Sequence, residues 1–379
     1  MIKKIYCLLL LVFLSSFGYA SQKTLSIENN RLVWDYAGSL PAQKGFDKNI
    51  GTAGLLQGII GDYIVVGGGA NFPEALEKGG KKVTHKDLYL LKDVNGKLKT
   101  IEQIQLDYPI AYGASVSIKE ENAIYYLGGS PDSEHMRDVL KVTLKNGKLK
   151  TEIYAKLPLG FENGVAQYKD GKIYYGVGKI ENSEGKNVNS NKFYVFDLKT
   201  KELAEFPGEA RQQTVGQILN NKFYVFSGGS NISYVDGYAY DFKTNTWKKV
   251  ADVVVDNEKI LLLGANSIKI SENKMLVIGG FDYKLWNEAN FHLSNLKDEK
   301  LKAYKASYFG AEPQSYNWNR KILIFDATKN SWKSIGEVPF DAPCGAALLL
   351  MNNNIYSING EIKPGVRTER MYKAYIISK

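Results

Sequence analysis

One short apolar strand ending in glycine recurs six times along the chain, and no other feature limits the possible folds as strongly. The copies are Ile64-Val-Val-Gly-Gly68, Ile124-Tyr-Tyr-Leu-Gly-Gly129, Ile173-Tyr-Tyr-Gly-Val-Gly178, Tyr224-Val-Phe-Ser-Gly-Gly229, Met275-Leu-Val-Ile-Gly-Gly280 and Ile355-Tyr-Ser-Ile-Asn-Gly360. Their final glycines lie 61, 49, 51, 51 and 80 residues apart, a period near fifty with two long intervals. Each copy is preceded by a short apolar strand and a polar turn, such as Gly113 to Ile118 followed by Glu120-Glu121-Asn122. Each is followed by two more strands, seen best in Tyr240 to Trp247 and Ile324 to Trp332. Four strands per unit, joined by turns, predict antiparallel sheets repeated in series. Aromatic residues at 12% and 36 glycines suit packed sheets, and 23% charged residues is too ordinary for a disordered chain or a coiled coil.

A period of this length is that of kelch-type β-propeller blades, so the expected fold is all-β, a six-bladed kelch-type β-propeller. The C-terminal strand Met371 to Ser378 lacks a partner carrying a tryptophan like Trp247 or Trp332. The segment Leu32-Val-Trp34 to Leu40-Pro41 supplies one, and the N-terminal strand is expected to complete the C-terminal blade and close the ring. Residues 21–379 then form one propeller domain. Residues 1–20 read as a signal peptide, with Lys3 and Lys4, an apolar run and small residues before a cut after Ala20. Export to the periplasm follows, with no membrane span once the signal is cleaved. Its loss takes the net charge from +9 to +7, because the segment holds two lysines and no acid. It also leaves Cys344 as the one cysteine, so no internal disulfide can form.

In an up-and-down blade, the connections after the second and fourth strands return to the same face. Both long intervals place their extra residues there: Ala70 to His85, and Phe281 to Asn319, the latter carrying Trp286, Tyr304, Tyr308, Phe309, Tyr316 and Trp318. Insertions confined to one face mark a binding face. Asn71, Asp107, Glu162, Asn163, Arg211, Gln213, Glu361 and Arg367 converge on the same rim. Glu361 directly follows an axial glycine and should aim at the channel mouth, ionised by its neighbour Arg367.

At these residues the chain resembles the N-acetylneuraminate (sialic acid) mutarotases, with the blade order cyclically shifted. The match is carried by Ile358-Asn-Gly-Glu361-Ile-Lys-Pro-Gly-Val-Arg367-Thr, by Phe206-Pro-Gly-Glu-Ala-Arg211-Gln-Gln213, by Ser307-Tyr308-Phe309 leading through Tyr316, and by Gly67-Gly-Gly-Ala-Asn71-Phe72-Pro73. The resemblance implies that Glu361 is the catalytic proton acceptor and that Arg367, Arg211, Gln213 and Asn71 bind substrate. Arg367 or Arg211 would grip the sugar carboxylate, and Tyr308 or Phe72 would stack on the sugar.

The expected activity is isomerase chemistry: interconversion of the α and β anomers of N-acetylneuraminic acid by general acid/base catalysis. The alternative is a non-catalytic exported kelch module that binds a glycan or a protein, and a further one is an enzyme acting on another acidic sugar. No cofactor is expected, since no glycine-rich loop opens a helix, and no nucleic-acid partner is implied. No metal site is expected either, with His85, His135 and His292 read as scattered surface residues and Cys344 as a small buried one.

Overall fold

The computed structural model describes residues 30–132, 134–197 and 199–378. The expected signal peptide lies outside the described residues. Among the described residues the chain forms six four-stranded antiparallel sheets, here I to VI, in which successive strands are neighbours. Sheet I comprises Leu56–Ile60, Tyr63–Gly67, Asp87–Val94 and Lys97–Gln105. Sheet II comprises Ala114–Ile118, Ala123–Leu127, Asp138–Lys145 and Lys148–Lys156. Sheets III, IV and V begin at Val165–Lys169, Val215–Leu219 and Asn266–Ser271 and repeat the pattern. Sheet VI is built from Ala347–Met351, Asn354–Ile358 and Arg370–Ser378. Its fourth strand is the N-terminal Asn30–Ser39, paired with Arg370–Ser378 so that Trp34 lies opposite Ala374.

Strand composition explains which strand sits where. The second strands are largely buried after their first residue, and Ala123–Leu127 is buried throughout, so they read as short apolar runs. The fourth strands, such as Lys148–Lys156, are largely exposed and rich in lysine. Six apolar clusters fill the seams between consecutive sheets. For example, Leu56, Val65, Ile124 and Tyr126 join I to II, and Val277, Phe325 and Trp332 of V meet Phe226 of IV. The sixth cluster joins VI to I through Ile358, Met371, Ile64 and Val66. The tryptophans lie in these seams as expected: Trp247 packs edge-on against Phe193 of the preceding sheet at 5.1 Å, and Trp34 packs on Phe340 at 5.3 Å. Polar side chains stitch the first strands together. Gln57 accepts from the Leu348 N–H at 2.7 Å, and Gln217 Nε2 donates to the Ser267 carbonyl at 3.0 Å. The glycine pairs are required by close approach, since a Cβ on Gly128 would stand 2.0 Å from the Phe161 carbonyl oxygen, in a residue with φ +62°.

The two insertions meet on one side of the molecule. The stretch expected as one long loop is largely helical: α1 spans Tyr283–Asn295 and α2 spans Asp298–Gly310. The sequence signal for α1 was its cap, because Asp282 accepts from the Lys284 and Leu285 N–H groups, each at 2.9 Å. α2 contacts the short turn Leu76–Lys78 of the first insertion, and Lys363 donates to the Ala311 carbonyl at 2.8 Å just beyond α2. No helix among the described residues is long and apolar enough to cross a membrane.

Candidate active site

The first strands of the six sheets surround a cavity of about 720 Å³. Its mouth is framed by the residue two positions before each first strand: Gly54, Tyr112, Asn163, Gln213, Gly264 and Gly345. All six are left-handed, with φ between +54° and +74°. Backbone hydrogen bonds link them around the mouth: Gln213 donates to Asn163 (2.6 Å), Asn163 to Tyr112 (2.7 Å), Tyr112 to Gly54 (2.8 Å), Gly54 to Gly345 (2.8 Å) and Gly345 to Gly264 (2.6 Å). Three positions are glycine, for which this conformation is unstrained. Tyr112, Asn163 and Gln213 hold it at a cost of about 1 kcal/mol or more each, a price that side chains pointing into a working site commonly carry.

Glu361 enters this mouth from sheet VI. It follows Gly360 (φ +108°) and opens a short hairpin, Glu361–Lys363 with Val366–Arg367, in which Glu361 and Arg367 are partners. Reciprocal backbone bonds to Cys344, at 2.7 and 2.8 Å, hold Glu361 in place. Arg367 Nη1 and the Gly365 N–H both donate to the same oxygen, Oε1, at 2.7 and 2.8 Å. Oε2 accepts no hydrogen bond from the described residues and is the oxygen open to chemistry. The side chain keeps 20% of its surface where it lines the cavity, and that of Arg367 keeps 4%. Burial pushes the Glu361 carboxyl above its ordinary range, and the Arg367 charge and the Gly365 N–H offset only part of that rise. Burial thus outweighs the neighbouring positive charge, so the shift runs upward rather than in the downward direction that Arg367 alone would give. A raised carboxyl is better matched to proton abstraction near neutral pH.

Tyr112 completes the group. Its ring packs on Gly54, where a Cβ would come within 2.3 Å of it, and its hydroxyl meets the Arg367 guanidinium. Burial raises the phenol above its ordinary range, against the opposing Arg367 charge, so it remains a neutral donor.

The other expected site residues divide. Gln213 lines the cavity, as do Glu162 and Asn163. Arg211 does not: it is fully buried, with its guanidinium between Phe206 and Tyr234, paired with Asp236 and bonded to the Ser227 and Glu209 carbonyls. Asn71 is buried too, donating to the Gly51 carbonyl at 2.9 Å and bonded to His85 Nε2 at 2.9 Å. His85 is thus an internal residue rather than a surface one, and burial lowers its pKa. Arg367 stands behind Glu361 with its guanidinium 4.9 Å from the Phe72 ring centre, and neither residue lines the cavity. Tyr308 is likewise absent from the cavity lining. Cys344 is buried at the mouth, its thiol raised by burial. Outside the cavity, Asp132, Glu134 and His135 bring one ligand atom each within 4.8 Å of one another, but His135 already bonds Asp138 at 2.9 Å and stacks on Tyr108.

Reading the sequence missed Tyr112, Lys82, Lys179 and Phe281, all of which line the cavity. A signal for Tyr112 was present in its place, two residues before a first strand, shared with Asn163 and Gln213. Lys82 and Phe281 sit inside the insertions, where spacing ranks no residue above its neighbours.

Residues 154–379 match the family model described as N-acetylneuraminate epimerase. Among curated proteins, the N-acetylneuraminate epimerase of Salmonella typhi is 31% identical over 231 residues, covering 58% of this chain and 57% of that protein. A Kelch domain-containing protein of Vibrio cholerae serotype O1 is 30% identical over 233 residues, covering 57% and 62%. The N-acetylneuraminate epimerase of Haemophilus influenzae (strain PittEE) is 29% identical over 243 residues, covering 60% of each. The match therefore spans about three fifths of the length of these relatives. The solved structure of YjhT aligns with a TM-score of 0.51 at 24% identity, over 58% of this chain and 66% of that one, a likeness of fold.

Proposed function

The chain belongs to the N-acetylneuraminate epimerase family, and on that footing we propose that it is an exported mutarotase interconverting the α and β anomers of N-acetylneuraminic acid. The observation that carries this reading is Glu361, a carboxyl raised by burial, anchored through Oε1 and open at Oε2. In this reading the six sheets are blades of one closed ring over residues 21–379. The seam between sheets VI and I, and the hydrogen-bonded frame of the mouth, support closure. A family match that begins at residue 154 is what a cyclic shift of blade order leaves to a linear alignment.

Mutarotation of a 2-keto sugar acid needs no co-reactant. Glu361 Oε2 takes the proton of the anomeric hydroxyl, the bond between the anomeric carbon and the ring oxygen breaks, and a second group or a water molecule gives the ring oxygen its proton. The open-chain keto acid rotates about the bond to its carbonyl carbon and recloses by the reverse steps, returning the proton from Glu361. Tyr112, Asn163 and Gln213 offer hydrogen bonds to the sugar across the mouth.

Saturation-transfer NMR of N-acetylneuraminate with and without the protein tests this. Faster anomer exchange that is lost in Glu361→Gln supports it. Saturable binding without faster exchange would favour a non-catalytic kelch module, and equal action on a sugar lacking a carboxylate would argue against an acidic substrate.

A further inference from the structure

Charges around the cavity are nearly all paired. Arg367 holds Glu361 at 2.7 Å, Lys179 stands 3.7 Å from Glu162, and Lys269 stands 2.9 Å from Glu272. Lys82 differs: it lines the cavity, is exposed, and makes no ion pair among the described residues. Its ammonium rests 5.2 Å from the centre of the Tyr112 ring. It precedes Val83, which pairs with Asn71 in the small hairpin of the first insertion. The buried bonds of Asn71 to Gly51 and His85 therefore fix the strand that presents Lys82.

We propose that Lys82 binds the carboxylate of the sugar acid and so selects acidic over neutral substrates; the identity of that substrate rests on the mutarotase reading. In a 2-keto sugar acid the carboxylate and the anomeric hydroxyl share one carbon, so the cation that holds the first must stand beside the base that serves the second. Tyr112 spans that gap. Lys82 lies over its face, and its hydroxyl meets Arg367, which is bonded to Glu361. Both arginines expected for this role are otherwise engaged, Arg211 in a buried pair with Asp236 and Arg367 behind Glu361. Lys82 is a point charge restrained by an aromatic face rather than a bidentate fork, and it leaves the carboxylate free to turn as the anomeric carbon changes configuration.

The test uses the whole protein, its Lys82→Met and Lys82→Arg variants, and two probes: N-acetylneuraminate and its uncharged methyl ester. Affinity is read by titration calorimetry, and exchange separately by NMR. Lys82→Met is expected to bind the acid about tenfold more weakly, about 1.4 kcal/mol, with binding of the ester unchanged. Lys82→Arg should recover most of the affinity, and the salt dependence of acid binding should vanish in Lys82→Met. Unchanged acid affinity in Lys82→Met, or an equal loss for acid and ester, overturns the assignment. Lys82-dependent acid binding without faster exchange in the wild type would sink the mutarotase reading and leave the role of Lys82 standing. A wild type that binds neither probe overturns both.

Discussion

Replacing Glu361 with Gln removes one proton acceptor while conserving shape, and the structure sets what else changes. The amide oxygen can still accept from Gly365 and Arg367, the two donors on Oε1 at 2.8 and 2.7 Å. What is lost is charge attraction to a guanidinium with 4% exposure, which is left buried without a counter-ion. Stability should therefore fall by about 3–5 kcal/mol, so exchange is compared at equal folded concentration. Catalysis should fall independently of folding, since a positioned base contributes about a hundredfold to ten-thousandfold; the lower end is expected for a reaction already fairly fast unaided. The pH profile supplies an independent arm. A base works only when ionised, and burial raises Glu361, so exchange should climb with pH through a midpoint above the ordinary carboxylate range. Arg367→Met withdraws the charge that partly offsets that rise, so its midpoint must move to higher pH still. It should also lose about 3–5 kcal/mol of stability by leaving a buried carboxylate without a counter-ion. Exchange in Glu361→Gln within twofold of wild type at equal folded concentration would refute the assignment. So would an Arg367→Met profile that stays in place or shifts to lower pH.

Arg211→Met should destabilise the fold by about 3–5 kcal/mol by stranding Asp236 in a partly buried site, while the folded fraction keeps its KM; a raised KM with unchanged Tm would mean Arg211 reaches substrate. Deleting Asn30–Ser39 bares the edge of Arg370–Ser378 and strips Ala37 from the last seam, so the shortened chain should aggregate and melt earlier. A monomer with wild-type Tm by size exclusion and calorimetry would refute that. Cys344, buried and raised in pKa, should react with a thiol reagent only as denaturant unfolds the chain, and fast labelling of the native protein would show the mouth to be open there.

Repetition made the fold legible. The second strands had to be apolar after their first residue because both faces are largely covered, and Gly68, Gly128 and Gly279 had to be glycine because a carbonyl of the next sheet's entrance comes too close for a Cβ. The tryptophan of the N-terminal strand was readable as the missing member of a series. The two helices were not, because they lie inside a repeat whose other members are all strands, and the local helix signal there is the cap at Asp282. At the site, Glu361 was legible from its place after an axial glycine, and Gln213 from its place before a first strand. Arg211 and Asn71 share that rim in sequence but turn away from the cavity, since a residue's position in a loop does not set the direction of its side chain.

The sequence by itself determined the sheets, their order, the side of the molecule that carries the insertions, and the carboxylate at the mouth. All of these follow from local rules of alternation, spacing and backbone freedom repeated six times. Only the tertiary structure decided which charges are spent within the fold and which remain for a ligand. Pairing and hydration are set by neighbours distant in sequence: Asp236 claims Arg211, Glu361 and Phe72 claim Arg367, and Lys82 is left over the ring of Tyr112 with no carboxylate of its own among the described residues.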